Sequence, residues 1–126
     1  MAEAVPGDVE MVEHQGYREA RYLGAYTMAR YKKQMEISVR ACEEKKATHL
    51  LVDIRALTGF TPTTQERYEF GRYGAEISKK LARVSVVGTA DQIDPEQFAT
   101  MVARNRGLQV RAFTDPKAAV DWLLGD

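Results

Sequence analysis

Leu50, Leu51 and Val52 form an unbroken apolar run that ends in Asp53, Ile54 and Arg55. A strand with one wet face alternates apolar and polar residues. A run that is apolar on both faces belongs to a strand covered on both sides, as in a parallel sheet flanked by helices. The segment Thr48 to Ile54 is therefore expected to be the central strand. A polar, threonine-rich loop follows, and then a helical pattern. This arrangement delivers the carboxyl end of a buried strand to a loop, which is where α/β sheets bind their ligands.

The rest of the chain repeats the alternation of strand and helix. Met1 to Gly7 reads as a loose lead-in. Val9 and Met11 share one face of their segment, as Ala20 and Tyr22 do of theirs, with Gln15-Gly16 as a two-residue turn between the segments. Residues 8–23 are thus expected to form an antiparallel hairpin. Met28, Tyr31, Met35, Val39 and Cys42 recur at helical spacing and predict a first helix over 25–46. Ile37 lies opposite that stripe, as a stray exposed apolar residue or a partner contact. A second helix is expected from Pro62 to Leu81, with Phe70, Gly74, Ile77 and Leu81 inward and Gly71 and Gly74 marking close packing. Val84 to Gly88 is a short strand. Asp94-Pro95 opens a third helix, which Gly107 ends. Leu108 to Phe113 is the last strand. Asp115-Pro116 opens a final helix that buries Ala119, Val120, Trp122 and Leu123. Three of the four prolines, Pro62, Pro95 and Pro116, stand at these starts after Thr61, Asp94 and Asp115. The order β-β-α-β-α-β-α-β-α predicts an α/β fold, a mixed and mostly parallel sheet with helices packed on it. One domain is expected over 1–126.

Composition narrows the function. The 126 residues carry 18 Lys plus Arg against 18 Asp plus Glu. That balance argues against a nucleic-acid or membrane-surface binder, which needs a cationic field. The single Cys42 cannot form an internal disulfide and suits a reducing compartment. Met1 to His14 shows neither a basic nor an apolar leader region, and no apolar run approaches a membrane span. A cytoplasmic protein without membrane insertion is expected. Cys42 falls on the apolar stripe of its helix and reads as an inert core thiol. His14 and His49 are far apart in sequence, so no zinc spacing exists and neither metal nor cofactor is expected. His49 reads as a strand-end residue.

The candidate site is the loop edge at the carboxyl ends of the strands. It gathers Asp53 and Arg55, the hydroxyls Thr58, Thr61, Thr63 and Thr64, and Thr89 and Asp91 after the next strand. Helix starts there attract anions through free N–H groups. The loop threonines are also candidate phosphoacceptors. A structural reading competes at each position: Thr61 can cap before Pro62, Thr63 can form a capping box with Glu66, and Asp91, Asp94 and Asp115 suit turns and caps. Asp53 at a strand end can be catalytic, yet a lone carboxylate is a weak signal, and no enzyme is expected. The tyrosines of the hairpin and first two helices suit core edges, an apolar ligand cavity or a dimer face. A homodimer through the hairpin edge or the Ile37 face is plausible, since open sheet edges need protection.

Leu50-Leu51-Val52-Asp53-Ile54-Arg55 and the closing segment from Val110 to Leu123, with its Phe-Thr-Asp strand end and Ala-x-x-x-Trp-Leu helix, resemble a known family. The chain is similar to stand-alone SpoIIAA-like proteins of the STAS superfamily, also described as SEC14-like. The likeness covers about Val9 to Leu124. It implies a small regulatory or binding module that engages a partner protein or a small anionic ligand. In anti-sigma antagonists of the family, a serine in an Asp-Ser-Ser-Gly-like segment at the start of the helix after the central strand is phosphorylated. Here Asp53 matches only the strand-end acid, and Thr58-Gly59-Phe60-Thr61-Pro62-Thr63-Thr64 replaces the rest. SEC14-like relatives carry lipids in an apolar cavity, so a carrier of an apolar or lipid-like ligand is the alternative that the resemblance implies.

Overall fold

The computed structural model describes residues 2–5 and 8–125. A six-stranded sheet runs in the order β1 (Ala2–Val5), β2 (Val9–His14), β3 (Tyr17–Tyr22), β5 (His49–Asp53), β7 (Arg83–Val87) and β8 (Val110–Phe113). A second, two-residue ladder pairs β4 (Gly24–Ala25) with β6 (Leu57–Thr58). Four helices complete the chain: α1 (Met28–Glu44), α2 (Thr64–Ile77), α3 (Phe98–Asn105) and α4 (Pro116–Leu124).

The expected hairpin is present. β2 and β3 pair antiparallel, and Gly16 supplies the positive φ of 92° that the turn requires. β3, β5, β7 and β8 are all parallel neighbours. The mixed, mostly parallel α/β sheet is as the sequence implied. Strand order follows chain order across the sheet. Right-handed crossovers that always step the same way put every connecting helix on one face. α1 and α3 accordingly pack on that face, with α2 resting on α1 and α3. α4 covers the other face, against β5, β7 and β8.

The core divides the same way. Leu50 and Val52 face the helices α1 to α3 with Val9, Met11, Ala20 and Tyr22. Leu51 turns to α4, with Val87, Ala119 and Leu123. The unbroken apolar run thus serves two cores, and burying a side chain such as Leu50 contributes about 1.5–3 kcal/mol. Cys42 is fully buried in the first core, and burial pushes its thiol up to about 11, so it is an inert core thiol. His49 stands at the start of β5, hydrogen-bonded to the Thr48 hydroxyl.

Several expectations need correction. The lead-in is not loose over Ala2–Val5, which pairs antiparallel with β2; Met1, Pro6 and Gly7 lie outside the described residues. The hairpin edge offered for a homodimer is therefore occupied by β1. Ile37 is half-buried against the main core rather than presented to solvent. α2 starts two residues later than expected, because Thr63 and not Thr61 is its cap, and it ends at Ile77 with Ser78 after it. α3 starts at Phe98, because Asp94-Pro95 makes a turn and Gln97 then adopts a left-handed conformation with φ of 57°. Asp115 and Pro116 do open α4, and Gly107 does stop α3, with φ of 99°.

Left-handed Gln97 also shields the β8 edge. Its Nε2 donates to the Ala112 carbonyl at 3.0 Å and its Oε1 accepts from the Ala112 N–H at 3.1 Å. Arg104 donates to the Val110 carbonyl at 3.1 Å. Side chains thus occupy backbone groups that would otherwise invite a further strand.

Candidate functional site

The loop after β5 is fixed from below at several points. The Ile54 N–H donates to the Val87 carbonyl at 2.9 Å, continuing the β5–β7 ladder by one residue. Leu57 is buried, and the Tyr26 N–H donates to the Thr58 carbonyl at 2.8 Å. Buried Gln92 reaches across from the loop after β7. Its Nε2 donates to the carbonyls of Ile54 at 2.9 Å and Leu57 at 3.4 Å, and its Oε1 accepts from the Thr89 N–H at 2.9 Å. Gly59 then turns the chain with φ of 65°. Phe60 wedges between Tyr26 and Tyr31, at ring-centre distances of 5.0 and 5.4 Å. Above these anchors Thr58, Gly59, Thr61, Thr63 and Thr64 are exposed.

Thr63 has a structural task. Its hydroxyl accepts from the Glu66 N–H, and the Glu66 carboxylate accepts in return from the Thr63 N–H, a full capping box. Tyr26 braces it, its hydroxyl donating to Glu66 at 3.2 Å. The helix starts expected to draw an anion are thus closed from within. Thr63 and Glu66 close α2, Asp94 accepts from the N–H groups of Glu96 and Phe98 before α3, and Asp115 accepts from the Lys117 N–H in α4. A carboxylate already stands at each start, where the dipole would otherwise favour a ligand's charge.

The expected site residues fall into separate sets. Asp53 points to the same side of β5 as Leu51, away from the threonine loop. Arg55 is exposed and holds it, with Nε and Nη2 donating to the two carboxylate oxygens at 3.0 and 2.9 Å, while its backbone N–H adds a third bond. Burial pushes the Asp53 carboxyl up, but the Arg55 hydrogen bonds and charge, with help from Arg21, outweigh it and hold the group below its ordinary 3.8. Thr89 and Asp91 are exposed on the next loop, which Gln92 ties to the first.

The Asp53–Arg55 pair makes an acid-stability prediction. A carboxyl whose folded pKa is depressed stabilises the protein above its unfolded value and loses that contribution as pH falls through the folded one. Asp53→Asn should therefore flatten the decline in stability below 3.8, measured by denaturant unfolding at a series of acidic pH values. An acid limb that coincides with wild type would show that the pair does not contribute.

Beneath α2 the packing leaves space, and two of the tyrosines that suited an apolar cavity, Tyr22 and Tyr31, line it. A cavity of about 100 Å³ lies between the sheet and the helices, lined by Tyr22, Leu50, Val52 and Val84 from the sheet and by Phe70, Gly71 and Gly74 from α2. A second of about 70 Å³ opens toward the carboxyl-end edge, where Phe60, Arg67, Asp94 and Gln97 line it. Both are lined by Tyr31, Phe70, Val86, Ala99 and Thr100, so they are neighbours along one path. Neither Gln92 nor Arg67 carried a signal in the sequence, since each reads as an ordinary polar residue of a turn or helix.

No family profile and no curated protein sequence matches the chain. Among solved structures it is similar to an uncharacterised protein of the DUF3478 family with a SpoIIAA-like fold from Shewanella loihica PV-4. The TM-score is 0.56 at 22% identity, over 98% of this chain and 95% of that one. It is also similar to an anti-sigma factor antagonist from Mycobacterium paratuberculosis, with a TM-score of 0.58 at 15% identity over 98% and 100% of the respective chains. The fold is SpoIIAA-like, as the family resemblance implied.

Proposed function

We propose that the chain is a non-enzymatic, single-domain regulatory module of the STAS type. It engages a partner protein through the surface of Thr58, Gly59, Thr61 and Thr64 beside the start of α2. The observation that carries this reading is a rigid loop with an outward polar face: Leu57, Phe60 and Gln92 anchor it while its hydroxyls stand in solvent. A pre-ordered surface loses less entropy on docking. The similar Mycobacterium paratuberculosis protein, an anti-sigma factor antagonist, favours a protein as the occupant. A phosphate on Thr61 or Thr64 would add a charge of about −2 to this surface, beside Glu66, and so switch its recognition. The non-enzymatic reading draws on Asp53, whose carboxylate is held ionised by Arg55 and is thus a poor proton acceptor. The buried free Cys42 suits the cytoplasm.

A photoreactive amino acid at Thr61 tests the docking surface in host cells, with the same group at exposed Lys79 beyond the far end of α2 as control. One discrete adduct with a second protein is expected from position 61 and none from position 79. No adduct from position 61, or the same adducts from both, would sink the reading. A second reading rests on the space beneath α2: its apolar lining favours the uptake of a small apolar ligand. A mass difference between native and denatured protein from its host tests that reading.

A further inference from the structure

We infer that the path beneath α2 binds a small apolar carboxylate, with Arg67 as the residue that receives the carboxylate. This deepens the second reading above and rests on it. The ligand class is a monocarboxylic acid with a short aliphatic or single-ring body.

Size sets the first limit. Cavities of about 100 and 70 Å³ lie end to end. For comparison, an apolar cavity of about 150 Å³ takes up benzene. The chemistry of the walls sets the second. In the larger cavity most of the lining is apolar and three of its hydroxyls are already bonded: Tyr22 to Ser38 at 2.8 Å, Ser38 to the Met35 carbonyl at 3.0 Å, and Thr100 to Gln97 at 3.0 Å. A strongly polar body would lose more hydration there than those walls return.

The mouth is different. Arg67 is half-buried on α2, with its guanidinium 5.9 Å from the centre of the Phe60 ring. Its side chain makes no hydrogen bond or ion pair with any described residue. Its neighbours at the mouth are occupied. Both Asp94 oxygens accept from backbone N–H groups, and the amide nitrogens of Gln92 and Gln97 donate to the Ile54 and Ala112 carbonyls. Arg67 is thus the cation with donors to spare, and a guanidinium fork matches a carboxylate in two parallel bonds. The Phe98 and Glu96 N–H groups hold Asp94 below its ordinary value against its burial, and the Arg67 charge adds a smaller pull in the same direction. Asp94 in turn disfavours a second negative charge, which selects a monoanion over a dianion.

The test compares hexanoate with 1-hexanol, which differ only at the head group. Each is titrated into the wild-type chain and Arg67→Gln, read by methyl shifts of Val39, Ile77 and Val86, which line the cavity. Hexanoate is expected to shift these methyls and to bind Arg67→Gln at least about tenfold more weakly, whereas 1-hexanol binds both proteins alike. Coincident melting curves for the two proteins would show that the variant folds. Equal hexanoate affinity for both would overturn the role of Arg67 while leaving the apolar cavity reading intact. No shift with either compound would overturn that reading as well.

Discussion

Gly71→Ala is expected to lower the stability of this protein by about 2–3 kcal/mol, against the ordinary preference of helices for alanine. Gly71 is buried in α2 where α3 crosses it. A β-carbon there would stand 2.3 Å from the Ala99 carbonyl oxygen and 2.8 Å from the Val102 β-carbon. The first obstacle is backbone and cannot swing away, so the helices must part. In an exposed helix interior the same change gains about 1 kcal/mol. The sign of the effect therefore reports the clash. Gly74 is the internal control. It lies one turn on in the same helix, but its β-carbon would meet only the flexible end of Met35, at 3.1 Å. Gly74→Ala is expected to be neutral or mildly stabilising. Thermal unfolding of both variants decides it, with an expected fall of about 8–12 °C for Gly71→Ala. If both variants melted alike, the close α2–α3 contact would not be what demands glycine.

Gly71 and Gly74 also show what the sequence made legible. Their place on the apolar stripe of a helix announced close packing, and α3 does press against Gly71. It did not announce that the pair, with α2 resting on its neighbouring helices, leaves a cavity above the sheet, because a void depends on how several elements meet. The same boundary between local and distant causes runs through the other elements. The hairpin, the run from Leu50 to Val52, the Asp115-Pro116 start and the Gly107 stop were readable because each is fixed by neighbours in sequence. In Thr61-Pro62-Thr63 two caps compete, and Thr63 wins because Glu66 and Tyr26 close a box around it. β1 has no strong strand pattern of its own and exists by pairing with β2. Gln34 and Ser38 lie outside the apolar stripe of α1, yet both are buried. Gln34 Nε2 donates to the carbonyls of Asp8 and Leu23 at 3.2 and 3.0 Å, partners distant in sequence. At the site, the position of the loop was legible and the division of its residues was not. Alternation along β5 sends Asp53 to the face of α4, whereas the chain beyond Gly59 turns toward α2.

Gln92→Leu is expected to cost about 2–3 kcal/mol and to loosen the threonine loop more than the rest of the protein. Leucine comes close to glutamine in volume, so no large void is made and the loss falls on hydrogen bonds. The Ile54 carbonyl is the costly one. It lies beside a buried side chain, and an unpaired buried acceptor costs about 1–3 kcal/mol. The Leu57 bond, at 3.4 Å, is weak, and the Thr89 N–H belongs to an exposed residue that water can reach, so these contribute less. Gln92→Glu separates the parts. It keeps an acceptor for Thr89 but replaces the donor to Ile54 with a carboxylate facing a carbonyl, so it should be at least as damaging. The local effect distinguishes a loop anchor from a general core residue. Opening that frees the loop exposes the Tyr26 and Leu57 amides, which now bond Thr58 and Ile54. Their hydrogen exchange should accelerate beyond the loss in global stability, while amides of β3 and β5 follow that loss alone. Crosslinking from position 61 should weaken in the same variant although no exposed residue has changed, because the loop would then have to be ordered at the moment of docking. If exchange rose uniformly and the adduct persisted, Gln92 would be a stability residue, and the rigidity of the loop would have no part in recognition.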